Sequence, residues 1–187
     1  SDPLWGRLET CPYKTTMPYD PEVHHRRSIR LRGYDYAHPG WYFVTVCVQG
    51  KVHLLGEIVE GEMKPNEFGE IVTLYWNDLP RHYPHAQLDS FVVMPNHLHG
   101  IIEIVGAGFK PAPTDPKRHG LPEVVRGFKT HSARRINEIR GTAGHPVWQR
   151  NYYEHIVRNR RELEIMRDYI RMNPARWDTD PENLMPL

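Results

Sequence analysis

Along the first forty residues the apolar positions follow no regular period, and prolines and glycines interrupt every short apolar run. This predicts an irregular arm over residues 1–40. The pattern changes at Trp41. Residues 41–49, WYFVTVCVQ, are rich in β-branched and aromatic side chains and predict a strand. Residues 52–63, punctuated by Gly56 and Gly61, fit a short hairpin. In residues 66–83, Phe68, Ile71, Val72, Tyr75 and Leu79 fall close to three or four apart, the spacing of an amphipathic helix that Pro80 ends or kinks. Residues 88–94 and 97–105 predict two strands joined by a tight break at Pro95-Asn96. The stretch 106–120, GAGFKPAPTDPKRHG, has no period and reads as a loop or linker. A helical pattern returns over 121–139, an aromatic strand follows over 148–157, and a last helix spans 160–173 before Pro174.

Strand, helix, strand, strand, helix, strand is the split βαβ plan of a ferredoxin-like fold. The predicted class is α+β: an antiparallel sheet with helices on one face, plus a C-terminal helix that carries a tyrosine. The corresponding divisions are a basic arm at 1–40, a domain at 41–177 and a short tail at 178–187.

Composition narrows the function classes. The net charge is only +1, so any polyanion must be met by local patches. Two exist. Residues 24–32, HHRRSIRLR, hold Arg26, Arg27, Arg30 and Arg32, and the 121–139 helix carries Arg126, Lys129, Arg134 and Arg135. Taken alone, each run reads equally well as a solvated face. The two cysteines, Cys11 and Cys47, form no CxxC pair and suggest no disulfide framework. No run reaches the roughly 20 apolar residues of a membrane span, and no signal peptide is visible, so the expected setting is the reducing cytoplasm.

His97 and His99 lie two apart on a strand, so both imidazoles project from one face while Leu98 points into the core. Two histidines are too few for a closed structural zinc site, but they suit an open site with room for water and a phosphate oxygen, expected on an exposed sheet face. Tyr169 and Asn173 are four apart and share one face of the last helix. The phenol would be a nucleophile and the amide oxygen a third, neutral ligand. A divalent ion would offset the charge that develops as a phosphodiester bond breaks. Tyr152 and Tyr153 are rival nucleophiles, and His155 could approach the ion.

The segment MPNHLHGII, residues 94–102, closely resembles the His-hydrophobic-His motif of HUH endonucleases, and DYIRMNP, residues 168–174, is similar to the tyrosine helix of their single-tyrosine transposases. The segments RRSIRLRGYDYAHPGWYFVT, RGFKTHSARRIN and VWQRNYYEHIVRN resemble the REP-associated branch of that family. The resemblance spans residues 26–177. Insertion-sequence members carry Gln four residues after the tyrosine, where this chain has Asn173. The resemblance implies a metal-dependent endonuclease and strand transferase on the HUH fold, with Mg²⁺ or Mn²⁺ held by His97, His99 and Asn173. Tyr169 would form a 5′-phosphotyrosine link to single-stranded DNA at hairpin-flanked sites. It also implies a monomer associated with the bacterial nucleoid, with Arg26, Arg27, Arg30, Arg32, Arg126, Lys129, Arg134 and Arg135 on DNA phosphates. A cleavage-deficient DNA-binding regulator of the same fold is the alternative. A phosphohydrolase of small substrates would have no use for the basic arm.

Overall fold

The apolar run at Trp41 becomes the central strand of the molecule. A computed structural model describes residues 33–105, 120–180 and 182–183, and those from Asp35 onward belong to one folded unit. Strand β1 (Gly40–Cys47) has Tyr42, Phe43, Val44 and Val46 buried. On one side it pairs antiparallel with β5 (His97–Ile104), on the other with β6 (Tyr153–Val157), and β4 (Ala86–Met94) pairs outside β5. The sheet order β4-β5-β1-β6 is the ferredoxin-like order, so the expected α+β class holds. The small hairpin of β2 (Gly56–Val59) and β3 (Glu62–Pro65) stands apart as a two-stranded sheet.

Side-chain alternation in β5 divides the sheet into two faces. Leu98, Gly100 and Ile102 face helices α1 (Glu67–Asn77) and α3 (Leu121–Arg140), where Trp76 meets Phe128 edge to face at 5.3 Å. His97, His99 and Ile101 face the other way, toward α4 (Arg160–Met172). Helix α1 begins where the Asn66 carboxamide accepts from the Phe68 and Gly69 amides at 3.0 and 3.1 Å, satisfying donors that have no partner within the helix. Helix α4 begins the same way at Asn159, which accepts from the Glu162 amide at 2.9 Å. Its apolar stripe of Leu163, Met166 and Ile170 is buried.

Two boundaries differ from the sequence reading. The helix over 66–83 breaks at Asp78, before Pro80 rather than at it, and a short α2 (Leu79–His82) restarts there. Proline lacks only an amide that a first helical turn leaves unpaired anyway, so it begins α2 without cost. The strand expected over 148–157 is split. Trp148 makes one isolated bridge to Val48, and β6 starts only at Tyr153. Between them the Lys129 ammonium donates to the carbonyls of Gln149, Arg150 and Asn151 at 2.6, 3.0 and 3.2 Å, drawing the backbone into a turn.

Gly100 lies flat beneath the Trp76 indole, and a β-carbon added there would overlap the six-membered ring. Because both groups are central to the packing of α1 on the sheet, Gly100→Ala is expected to destabilise the fold by about 1–3 kcal/mol. Urea denaturation of the variant beside the parent chain measures this loss.

Candidate metal and nucleophile site

The site is set by the connection between β4 and β5. Met94 pairs with His97 across Pro95 and Asn96, and the alternation that follows puts His97 and His99 on the α4 face. On β1, Cys47 lies opposite His97 and Thr45 opposite His99. The two Nε2 atoms come within 3.0 Å of each other. Contrary to the expectation of an exposed face, His97 is 0% and His99 3% exposed. Phe43 stacks on His99 at 5.3 Å, Tyr169 meets it edge-on at 5.2 Å, and Trp177 lies over His97 at 6.1 Å. Trp177 belongs to a 3-10 turn (Pro174–Thr179) that continues α4 over the histidines.

Hydrogen bonding fixes how each ring carries its proton. Asn96 Nδ2 donates to the carbonyls of Lys51 and Glu182 at 3.2 and 2.8 Å, so its Oδ1 is the atom 2.8 Å from His97 Nδ1. An amide oxygen only accepts, so His97 Nδ1 bears hydrogen and its Nε2 offers a lone pair. The 3.0 Å contact then requires His99 Nε2–H to donate, leaving His99 Nδ1 to accept from Thr45 Oγ1 at 2.8 Å. A cation between the rings needs the opposite His99 tautomer, with Nδ1 donating to Thr45. A hydroxyl permits this because it both donates and accepts. Burial drives the proton affinity of both rings down: His97 well below the ordinary range, helped by the His99 and Lys51 charges, and His99 to about 4, against the raising effect of Glu182. Both rings are therefore neutral at pH 7, the form that binds metals.

Oxygen donors complete the cluster. A ligand atom of Asp180 lies within 4.8 Å of those of His97 and His99. Asn173, the C-cap of α4, donates from Nδ2 to Asp180 Oδ2 at 2.9 Å, while its buried Oδ1 has no hydrogen-bond partner. Two neutral imidazoles and a carboxyl group within 4.8 Å, with an amide oxygen left unpaired on the residue that binds that carboxyl, fit a divalent cation, since such an orphan otherwise carries a desolvation cost. Burial holds the Asp180 carboxyl above its ordinary range, against hydrogen bonds from the Glu182 amide and Asn173. The Tyr169 hydroxyl is 3.4 Å from His99 Nε2.

Of the sequence-read residues, His97, His99, Tyr169 and Asn173 come together here. Tyr153 is opposite Thr45 in the rank that holds His99, whereas Tyr152 is buried. His155 binds Glu162 at 2.7 Å and not the cluster. Arg126, Arg134 and Arg135 are exposed on α3, which packs on the other sheet face, and the latter two pair with Glu138. Lys129 is committed to the loop carbonyls described above. Arg26, Arg27, Arg30 and Arg32 lie outside the described residues. The sequence reading gave no site role to Thr45 or Asp180, and to Asn96 only a place in the turn. Thr45 could be found only through its strand register, and no local pattern marks Asp180.

No family model matches the chain. An uncharacterized protein of Haemophilus influenzae is 40% identical over 179 residues, covering 88% of this chain and 97% of that one. In fold, the chain is similar to a REP-associated tyrosine transposase solved bound to a REP hairpin. The TM-score is 0.56 at 22% identity, over 81% of this chain and 74% of the other. A candidate transposase from Deinococcus radiodurans gives 0.45 at 18% identity, over 76% and 96%. The first likeness shows that the two chains share this fold.

Thr45→Val removes the group that lets His99 change tautomer, so Mn²⁺ affinity is expected to fall about 10–100-fold, the usual effect of losing a hydrogen bond behind a ligand. Thr45→Ser should stay close to the parent in the same calorimetric titration. Acid should also loosen the metal-free fold. A histidine whose folded pKa is lowered takes up its proton first in the unfolded chain. Stability is therefore full above pH 6.5 and declines toward pH 4, by about 3 kcal/mol for a His99 shift from 6.5 to about 4. Urea denaturation at pH 7 and pH 5 should show the decline, and a His99→Asn variant should show less of it.

Proposed function

This chain and the uncharacterized Haemophilus influenzae protein belong to one family, and we propose for this chain the cutting and rejoining of single-stranded DNA through a covalent link to Tyr169. The observation that carries the reading is the meeting of two buried, neutral imidazoles with a half-buried, helix-borne phenol 3.4 Å from His99, beside an Asp180 carboxyl bound by Asn173, whose amide oxygen is unpartnered. His97, His99 and Asn173 hold Mg²⁺ or Mn²⁺, and Asp180 is placed to join them. The bound cation supplies positive charge against the non-bridging oxygens of a phosphodiester.

The chain's own residues do the rest. Phe43 and the buried apolar stripe of α4 set the Tyr169 ring beside His99 at 5.2 Å. Tyr169 Oη attacks phosphorus and loses its proton. The bond from phosphorus to the 3′-oxygen breaks, and that oxygen takes up a proton to become a free 3′-hydroxyl. The result is a 5′-phosphotyrosine, which a 3′-hydroxyl can later attack to restore a phosphodiester and release the phenol. Because both imidazoles are buried, the turn carrying Trp177 must shift for the strand to reach them. The substrate is single-stranded DNA or a hairpin with single-stranded flanks, as in the REP hairpin bound by the similar structure. Arg26, Arg27, Arg30 and Arg32 hold its phosphates, and the protein works as a monomer.

The complete burial of His97 supports a second reading, a DNA-binding protein of this fold that does not cleave. The two separate on one gel. Incubated with end-labelled single-stranded oligonucleotides and Mn²⁺, then denatured, the parent chain should carry label, Tyr153→Phe should keep it and Tyr169→Phe should lose it. Label that survives Tyr169→Phe but not Tyr153→Phe moves the nucleophile to β6. Strand binding without any labelled protein favours the second reading.

A further inference from the structure

Lys51 stands at the edge of the histidine pocket in a backbone conformation that lysine seldom adopts. Its φ is 53°, directly after Gly50 at 69°, so two successive residues are left-handed. A second glycine would make this turn with less strain. The turn is firmly held: the Lys51 amide donates to the Val48 carbonyl at 3.0 Å, and the Lys51 carbonyl accepts from Asn96 Nδ2 at 3.2 Å. The amide that orients His97 therefore also fixes the base of the lysine.

The side chain reaches the carboxylate of Glu182, with Nζ 3.0 Å from Oε2. That oxygen also receives the Cys47 thiol at 3.5 Å, and Cys47 is the strand partner of His97. An ammonium and a thiol donor thus converge on one anionic oxygen at the rim of the metal cluster. The charge is felt inside it. After burial and His99, Lys51 is a further cause of the low proton affinity of His97, and it draws Asp180 partly back toward its ordinary range. The lysine side chain is 26% exposed against 7% for Glu182, so within this pair the ammonium is what a solvent-borne anion meets first.

A simple ion pair does not account for this. Partly exposed pairs contribute little to stability and need no strained backbone. A compact ammonium with three donors, held beside a cation site, suits a phosphate oxygen. We propose that Lys51 is a phosphate-binding residue of the site, its ammonium taking a non-bridging oxygen of the DNA phosphodiester lodged against His97 and His99, at the position the Glu182 carboxylate now holds. The inference rests on the DNA-cleaving reading above and adds to it the group that seats the phosphate.

The test uses the full chain and a labelled random-sequence single-stranded oligonucleotide, with binding measured across a salt series and adduct formation timed in Mn²⁺. Lys51→Gln is expected to bind more weakly, with a salt slope smaller by about 0.7, the value for one phosphate contact on a single strand. Its adduct should form at least tenfold more slowly, while calorimetric Mn²⁺ affinity should not fall, since the charge removed disfavours a cation. Lys51→Arg should recover part of the loss. Glu182→Gln, which removes the competing anion, should bind DNA more tightly. The proposal is overturned if Lys51→Gln keeps the parent slope and rate, or if Glu182→Gln loses binding to the same extent, since the lysine then only secures the carboxylate. A reduced slope in a chain that forms no adduct even as wild type supports the phosphate contact and removes the cleavage reading. A wild-type chain that binds no single strand removes both.

Discussion

Three separate stretches of chain meet at the side chain of Asn96. Its Oδ1 faces His97 Nδ1 at 2.8 Å, its Nδ2 donates to the carbonyls of Lys51 and Glu182, and its own carbonyl accepts from Val48 at 2.8 Å. The residue is 1% exposed, so water cannot replace any of these partners. One carboxamide thereby fixes the orientation of the His97 ring, the base of the Lys51 turn and the segment beyond the 3-10 turn. Each depends on the others, because removing one partner from a buried polar network leaves the rest unpaired. The direction of the His97 Nε2 lone pair, toward the His99 Nε2–H at 3.0 Å, follows from that constraint.

Helix α4 is tied to both edges of the sheet while its tyrosine stands over the middle. At the β4 edge, Arg167 grips Asp89 through Nε at 2.9 Å and a second nitrogen at 2.5 Å, and the guanidinium holds the Asp89 carboxyl below its usual range. At the β6 edge, His155 binds Glu162 in the first turn of the helix. Between these anchors the apolar stripe settles onto the sheet, and Tyr169 comes to rest against Phe43 and His99 on the two central strands. A phenol carried by a rod fixed at two points is aimed far more narrowly than one carried by a loop.

Much of this was legible in the sequence. Alternation from Leu88 to Ile104 disclosed the hairpin, and with it the shared face of His97 and His99. The spacing of Leu163, Met166 and Ile170 disclosed α4 and the face bearing Tyr169 and Asn173. What could not be read depends on pairing between distant residues. Thr45 supports His99 across 54 positions through strand register alone. Asp180 enters because the chain turns back over the pocket after α4, which no periodicity encodes. The same return explains why the histidines are buried when an exposed face was expected. Lys129 illustrates a different limit: in a basic run, a lysine that holds three backbone carbonyls looks the same as one that faces solvent.

Only Pro95 and Asn96 separate Met94 from His97, and both strands continue in unbroken register immediately beyond them. Side chains in a strand alternate strictly, so one residue added or lost at this corner would exchange the roles of neighbours, sending the imidazoles into the layer filled by Trp76 and bringing Leu98 to the face toward α4. A lineage that keeps this site can lengthen its outer loops by small steps, but it must inherit this corner at a fixed count of residues.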